Sequence, residues 1–491
     1  MNISAAVIVK NEEKNLPRLL DSLKDKFVEI IVVDTGSTDK TIEIAKSYGC
    51  EVYEHKWNGF ADARNFAISK CKGDWIWHFD ADFELEEEEY EKFRKVFPLL
   101  NNGKNIKVIS TYIKNFGKDG NVKSISTQAF LHRKSNDIFW TGNIHEVLNV
   151  KESYAIDLFI NHYGYEDLKT QIEKAKRNLE LIYKDLSIYP KDSKEYFIKL
   201  FYLFQTYAIL GSFEKKYIEK GINKIVEVEN LLDKNENKLN NFFSIYIFVY
   251  IADLFIKKED FKKALFYVDK GLNKKDDFPD LLYMKGYIYE NLKDYKNEKI
   301  FYLEFLKSVD YFEKNPIDEK NNTAMVIDKL VNIPTILDDK LPKILNEKDL
   351  DSIKKEWKKS KNRYFAYLLL KLYEKYLPQK LESLIKKVVK IHEFYLLFNF
   401  AARYYLEKEN FFEALKYAKK SINLNKKDQT ANEIAGISSY NLKNYLESVK
   451  YFKNLNIENI KKTDLLLFID ALKKVGFQKE AEKIEKKLKI F

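Results

Sequence analysis

The chain has 491 residues, 45% of them apolar and 33% charged, with a net charge of +10. That length exceeds one ordinary core and points to two or three domains. Two cysteines, Cys50 and Cys71, exclude a disulfide framework, and six histidines without paired Cys/His spacing argue against a structural zinc site.

No apolar run reaches the ~20 residues of a membrane span. Met1-Asn2-Ile3-Ser4 leads straight into a core strand without a basic leader, so a cytoplasmic location is expected, with the membrane at most a peripheral partner. Charge is uneven. Residues 1–165 hold 22 Lys+Arg and 25 Asp+Glu, a net of −3, which leaves 63 and 50, or +13, for the remainder. No nucleic-acid recognition motif accompanies that excess, and lysines on helix exteriors are simply solvating.

Ser4 to Val9 is a continuous apolar run, the pattern of a strand buried on both faces. After the loop Lys10-Asn11-Glu12-Glu13, leucines at 16, 19, 20 and 23 recur at helical spacing. Glu29 to Val33 reads as a second strand, and the loop Asp34 to Asp39 leads into a helix over Thr41–Tyr48. Glu51 to His55 is a third strand and Phe60 to Lys70 a third helix. Trp75 to Phe79, bounded by Gly73 and an acidic cluster, is a fourth and buried strand. Such alternation implies βαβ units around a parallel sheet, an α/β domain.

Ligands of open sheets bind at the carboxyl ends of strands. Three loops stand there: Lys10–Glu13, Asp34–Asp39 and Asp80–Glu84. Neither a dinucleotide fingerprint nor a P-loop is present. Asp80 and Asp82, one residue apart, can both reach a hard divalent cation carrying a diphosphate. Asp34 can accept from a base or ribose hydroxyl, and Arg64 offers a planar fork for base edges or phosphate.

The run Val9-Lys10-Asn11-Glu12-Glu13, then Val33-Asp34-Thr35-Gly36-Ser37-Thr38-Asp39, then Ala63-Arg64-Asn65, then Asp80-Ala81-Asp82 resembles the family-2 glycosyltransferases of the GT-A fold. The resemblance implies inverting transfer from a nucleotide-diphosphate sugar, UDP-linked by expectation, with Mg²⁺ or Mn²⁺. It implies donor contacts at Val9, Lys10, Asn11, Glu12, Asp34, Ser37, Arg64, Asn65, Asp80 and Ala81. Asp80 would touch ribose or metal, and Asp82 would ligate the metal.

Lys107 to Ile113 and Ser124 to Leu131, separated by the turn signal Gly117 to Asn121, read as an antiparallel hairpin. A further strand at Ala155–Ile160 ends in Asn161-His162-Tyr163-Gly164-Tyr165. Arg133, Trp140, Gly142-Asn143-Ile144-His145-Glu146 and His-Tyr-Gly-Tyr resemble the branch of the family that joins a GT-A domain to helical repeats. That branch includes bacteriocin peptide S-glycosyltransferases of the sublancin type. Inverting transfer needs a base near the anomeric carbon, and His145 or Glu146 is the candidate. His162 is a candidate third metal ligand beside Asp80 and Asp82. Trp140 and Arg133 are candidate acceptor or sugar contacts, with Trp57 as a further stacking candidate.

From Glu166 onward Gly and Pro become scarce and apolar residues recur at three- and four-residue spacing, an all-α region. Asp260-Phe261 to Tyr267 echoes Asp294-Tyr295 to Phe301 at an offset of 34 (295 − 261). Asn410-Phe411 to Tyr417 echoes Asn444-Tyr445 to Tyr451 at the same offset (445 − 411), and Val475 to Ala481 is a degenerate copy. A 34-residue helix-turn-helix period resembles tetratricopeptide repeats. The expected organisation is a GT-A domain over 1–165, a first repeat block over 166–309, an irregular connection over 310–359 and a second block over 360–491.

The expected function is sugar transfer from a nucleotide-diphosphate donor to a peptide or protein side chain, the repeats delivering the acceptor or forming a homodimer. A saccharide or lipid-linked acceptor in surface glycan synthesis is the alternative within enzymes. An inactive repeat scaffold is the alternative outside them.

Overall fold

The computed structural model describes residues 2–103, 106–117, 122–150, 152–164, 168–234, 241–314, 317–318, 323–324, 333–426, 428–456 and 460–488. The expected turn at 118–121, Tyr165 and parts of the expected connection at 315–316, 319–322 and 325–332 lie outside them. The chain forms two compact units, one of residues 1–294 with 315–328, the other of 295–314 with 329–491. The α/β domain and the helices up to Asn291 therefore belong to one unit.

The α/β domain opens with β1 (Ile3–Val9), α1 (Leu16–Leu23), β2 (Glu29–Asp34), α2 (Thr41–Ser47), β3 (Glu51–Glu54), α3 (Phe60–Lys70) and β4 (Trp75–Asp80). There follow β5 (Phe83–Glu84), α4 (Glu87–Asn102), the hairpin strands β6 (Val108–Phe116) and β7 (Val122–Arg133), the two-residue strands β8 (Trp140–Thr141) and β9 (Val147–Leu148), and β10 (Tyr154–His162). The sheet order is β3-β2-β1-β4-β7-β6-β10-β5. β1 runs parallel to β2 and β4, β7 is antiparallel to β4 and β6, and β10 runs parallel to β6. The sequence reading and the structure agree on this mixed α/β sheet.

Burial on both faces explains the apolar runs. Trp75, Trp77 and Phe79 join Leu16, Leu20 and Phe93 in one core, while Ala6, Ile31, Val33 and Ile76 pack with Ala67 of α3 on the other face. Each fully buried aromatic or aliphatic side chain contributes ~1.5–3 kcal/mol. The sheet is thereby fixed in register, and Asp34, Val9 and Asp80 fall side by side at its carboxyl edge.

The helices of the same unit are α5 (Leu168–Ile188), α6 (Lys194–Gly211), α7 (Lys215–Lys234), α8 (Asn241–Lys257), α9 (Phe261–Leu272) and α10 (Pro279–Asn291). Their shared core is Leu-, Ile- and aromatic-rich and includes Ile144 of the α/β domain. In the second unit, helices begin at Phe411, Tyr445 and Gln478, as the repeat spacing predicts. Each repeat turn carries a residue with positive φ: Glu259 (61°), Lys293 (59°), Glu409 (55°), Lys443 (63°) and Gly476 (85°). Only the last is a glycine. The stretch 310–359 is not irregular throughout, because a helix occupies Tyr295–Lys314 and another Leu350–Ser360. Among the described residues no helix is long and apolar enough to cross a membrane.

Candidate active site

The first two loops are stitched together by hydrogen bonds. Asn11, held at φ 57°, donates its N–H to Ser37 Oγ (2.9 Å) and accepts the Thr38 N–H at Oδ1 (2.7 Å). The Glu12 N–H donates to Thr41 Oγ1 (2.7 Å), and Val9 O accepts from Thr35. Asp34 is buried, and its carboxylate accepts the N–H groups of Gly36 (2.9 Å) and Ser37 (3.0 Å). Lys10 is exposed at the rim and Ala81 is buried behind Asp80. The strand spacing of ~4.8 Å puts Asp34 and Asp80 roughly 10 Å apart, two strands over.

Arg64 is the centre of the site. Only 2% of its side chain is exposed. Its Nη2 donates to Asp80 Oδ1 (2.8 Å) and its Nε to Glu146 Oε1 (2.6 Å), so one planar fork joins two carboxylates. The guanidinium lies 4.8 Å from the Phe130 ring and 5.1 Å from the Trp140 ring. Its Nη1 is buried without a hydrogen-bond partner. A buried donor without an acceptor is costly.

Asp82 belongs to a second cluster. β5 pairs antiparallel with β10, opposing Phe83 and His162, and this brings Asp82 Oδ2 to 3.2 Å from His162 Nε2. His162 Nδ1 lies 2.6 Å from Asn115 Oδ1, the bond of an Nδ1–H donor, which fixes the ring and turns Nε2 inward. Burial raises the Asp82 carboxyl, but the His162 bond, the charges of His162 and Lys174 and a backbone bond together hold Asp82 below its ordinary value. Burial likewise lowers His162, and Asp82 more than reverses this, leaving the imidazole above its ordinary value. Asp82 Oδ1 is buried and unpartnered. A Cβ at Gly164 would stand 2.6 Å from Asp82 Oδ2 and closer still to His162 Nε2, so only glycine leaves this cradle open.

These features fit a divalent cation: one bare carboxylate oxygen, one oriented imidazole and space beside them. The expected triad, however, is not assembled. Among the described residues no three His, Cys, Asp or Glu side chains are grouped to hold a metal. Asp80 is turned to Arg64, leaving Asp82 and His162 as the pair.

The β8–β9 hairpin carries His145 and Glu146 at its tip, with positive φ at Gly142 (95°) and His145 (48°). Glu146 reaches Arg64. His145 instead stacks on Tyr202 of α6, ring centroids 3.5 Å apart and 6° from parallel. Burial, then the nearby Lys199 ammonium, pulls His145 down to about 3. His145 is thus turned onto the helices, and of the two candidates only Glu146 reaches Arg64.

Four expected contact residues have partners within the fold. Arg133 pairs in register with Trp75 at the amino end of β4, binds Ile106 O and Asn101 O and covers the Trp75 ring. It lies at the edge opposite Asp80. Trp140 is buried under Arg64, where its indole N–H donates to His78 Nε2 (3.2 Å), so no face is open to a sugar. Asn65 spends its amide on Trp140, donating to its O (2.9 Å) and accepting its N–H (2.8 Å). Trp57 is part-buried edge-on against Phe60. Asn115, Phe130, Gly164, Asp185, Lys199 and Tyr202 complete the surroundings; of these, sequence had flagged only Gly164, within its His-Tyr-Gly-Tyr run.

Residues 4–151 match the Glycosyl transferase family 2 model. Over 232 residues the chain is 32% identical to the SPbeta prophage-derived glycosyltransferase SunS of Bacillus subtilis (strain 168), covering 45% of this chain and 53% of that protein. A TPR repeat-containing protein of Synechococcus elongatus is 44% identical over 93 residues, 19% of this chain and 23% of that protein. A solved structure of glucosyl-3-phosphoglycerate synthase from Mycobacterium tuberculosis, in complex with Mn²⁺, UDP and glucosyl-3-phosphoglycerate, is 26% identical over 23% of this chain and 44% of that one, at a TM-score of 0.20. The chain spans about half the length of the SunS protein it matches.

Proposed function

We propose that this chain, whose residues 4–151 form a glycosyl transferase family 2 domain, is an inverting glycosyltransferase. It moves one sugar from a nucleotide-diphosphate donor, UDP-linked, to a peptide or protein side chain. The observation that carries this reading is the pairing of two built clusters at one sheet edge: Arg64 bridging Asp80 and Glu146, and Asp82 beside His162 over Gly164.

The stitched loops at Asn11–Thr41 form the floor for the nucleotide, and Asp34 keeps their backbone in place. The unpartnered Nη1 of Arg64 is a donor for the bound nucleotide, and its other nitrogens hold Asp80 and Glu146 still. Asp82 and His162 are the residues that would hold Mg²⁺ or Mn²⁺, which when bound supplies neutralisation of the leaving diphosphate. Glu146 takes the proton of the acceptor nucleophile as that atom attacks the anomeric carbon and the bond to the diphosphate oxygen breaks. The family resemblance supports the inversion and the UDP donor. The resemblance to peptide-modifying members, with a repeat array able to present a polypeptide, supports the acceptor class.

The test is a panel of nucleotide sugars offered to wild type and Asp82→Ala, with Mn²⁺ or EDTA, read as nucleotide release and thermal protection. Release from one sugar, lost with EDTA and in the variant, is expected. A wild type that hydrolyses none and is protected by none would refute the reading.

A further inference from the structure

We propose that Asp185 and Lys199, a buried ion pair on α5 and α6, are positioning residues of the transfer reaction, acting through the 142–146 loop on Glu146. The inference rests on the glycosyltransferase reading above.

The pair lies almost wholly inside the protein, 1% and 4% exposed, with Lys199 Nζ 2.9 Å from Asp185 Oδ2. Both groups spend their remaining hydrogen-bonding capacity on one loop of the α/β domain. Asp185 accepts the Asn143 N–H (2.9 Å) and the Asn143 side-chain amide (2.6 Å). Lys199 Nζ donates to Ile144 O and reaches His145 O at 3.5 Å. Ile144 sits in the core of the helices, and Tyr202, one turn beyond Lys199 on α6, lies flat against His145. A Cβ at Gly142 would meet Lys199 Nζ at 3.0 Å. Asn143, Ile144 and His145 are thus each held by the helices, and Gly142 leaves room for Lys199.

The loop passes this restraint to the reacting groups on both sides. Asn143 O accepts the N–H of Phe60, the first residue of the helix that carries Arg64, and Gly59 has no room for a Cβ beside Asn143. Glu146 follows directly and binds Arg64 Nε. Left-handed backbone at His145 is disfavoured for a non-glycine residue and persists only where its surroundings impose it. The Asp185–Lys199 pair and the Tyr202 ring are those surroundings. A burial penalty for two charges is hard to justify by stability alone; here each charge completes hydrogen bonds that fix a loop.

The experiment uses the full chain. Asp185→Asn combined with Lys199→Met removes both charges at similar volume, and Asn143→Ala removes one amide bond only. Each is measured for kcat and KM with the nucleotide sugar that wild type hydrolyses, and for UDP affinity in Mn²⁺. Misplacing a reacting group by ~1 Å costs about 100-fold, so kcat is expected to fall about 100-fold in the double variant and several-fold in Asn143→Ala. KM and UDP affinity should change less than kcat, because Glu146 follows the loop directly, whereas Arg64 is reached only through Glu146 and Phe60 and the loops at Asp34 and Asp82 are untouched. Unchanged kcat, or UDP affinity falling as far as kcat, overturns the inference. Should the double variant not fold, unchanged kcat in Asn143→Ala overturns it alone. A wild type that hydrolyses no nucleotide sugar removes the underlying reading, whereas an active wild type matched by its variants removes only this inference.

Discussion

Replacing Gly164 by Ala tests whether the Asp82–His162 pair works as a cradle. The added Cβ would stand 2.6 Å from Asp82 Oδ2, against 3.4 Å for an ordinary contact, so something must retreat by about 0.8 Å, and His162 Nε2 by more. Gly164 does not occupy left-handed backbone, which leaves space as the sole obstacle. Overpacking of this kind costs ~1–3 kcal/mol when nothing yields. Here the imidazole is the group able to turn, at the expense of its bonds to Asp82 and Asn115. Disturbing the orientation of a ligating histidine typically lowers metal affinity 10–100-fold, or ~1.4–2.8 kcal/mol. Calorimetric titration of UDP at fixed Mn²⁺ reads this directly. Affinity should fall at least tenfold while affinity for UDP in EDTA is unchanged. Wild-type Mn²⁺-dependent affinity in Gly164→Ala would refute the cradle.

Arg64→Lys keeps the charge but loses the planar fork. One of Asp80 and Glu146 is then left without its partner, at ~3–5 kcal/mol if it is the buried Glu146 and less if it is Asp80, whose side chain is 38% exposed; melting temperature and kcat should both drop, and a silent substitution contradicts the bridging role. Glu409→Gly relieves a left-handed backbone position at φ 55°. A net gain of ~0.5–1 kcal/mol is expected in urea unfolding, and a lower midpoint would count against it. His132, buried and pulled down to about 4, stays neutral in the folded chain while the unfolded chain takes up a proton near 6.5. Its contribution is therefore intact above pH 6.5 and lost as pH falls towards 4, by ~2 kcal/mol at pH 5. His132→Gln should shrink the loss of stability between pH 7 and pH 5 by about that amount; an equal loss in both proteins disproves it.

The strands and helices up to Asp80 were legible because each is an apolar run or stripe ending in a turn signal, and tertiary packing merely confirmed local preference. The positions of Asp34, Arg64, Asp80 and Asp82 followed from that topology. Arg133 was misjudged for a topological reason. A hairpin that follows parallel strands runs antiparallel to β4, so its last residue returns to the edge away from Asp80. The partners of Trp140 and Asn65 within the fold were not legible, because an aromatic and an amide near a site look alike whether they face ligand or pack inside the protein. Asp185 and Lys199 carried no signal at all. On long helices rich in Lys, Asp and Glu, one buried pair has the same local pattern as the solvated ones, and only the pairing of α5 with α6 sets them apart. The left-handed turns at Glu259, Lys293, Glu409 and Lys443 were equally silent, lacking the glycine that marks Gly476.

The dependence of the 142–146 loop on Asp185 and Lys199 also sets an order of events during synthesis. The last strand of the sheet ends at His162, so the whole sheet leaves the ribosome before the residues that steady its hairpin tip. Thirty-seven further residues separate His162 from Lys199 (199 − 162), about two to seven seconds at ~5–20 residues per second. Throughout that interval the residues of the stitched loops at Asn11–Thr41 are available to pack, while the 142–146 loop still lacks Asp185 and Lys199. On the proposed mechanism, transfer requires the helices to have docked, whereas the loops assigned to the donor are complete earlier.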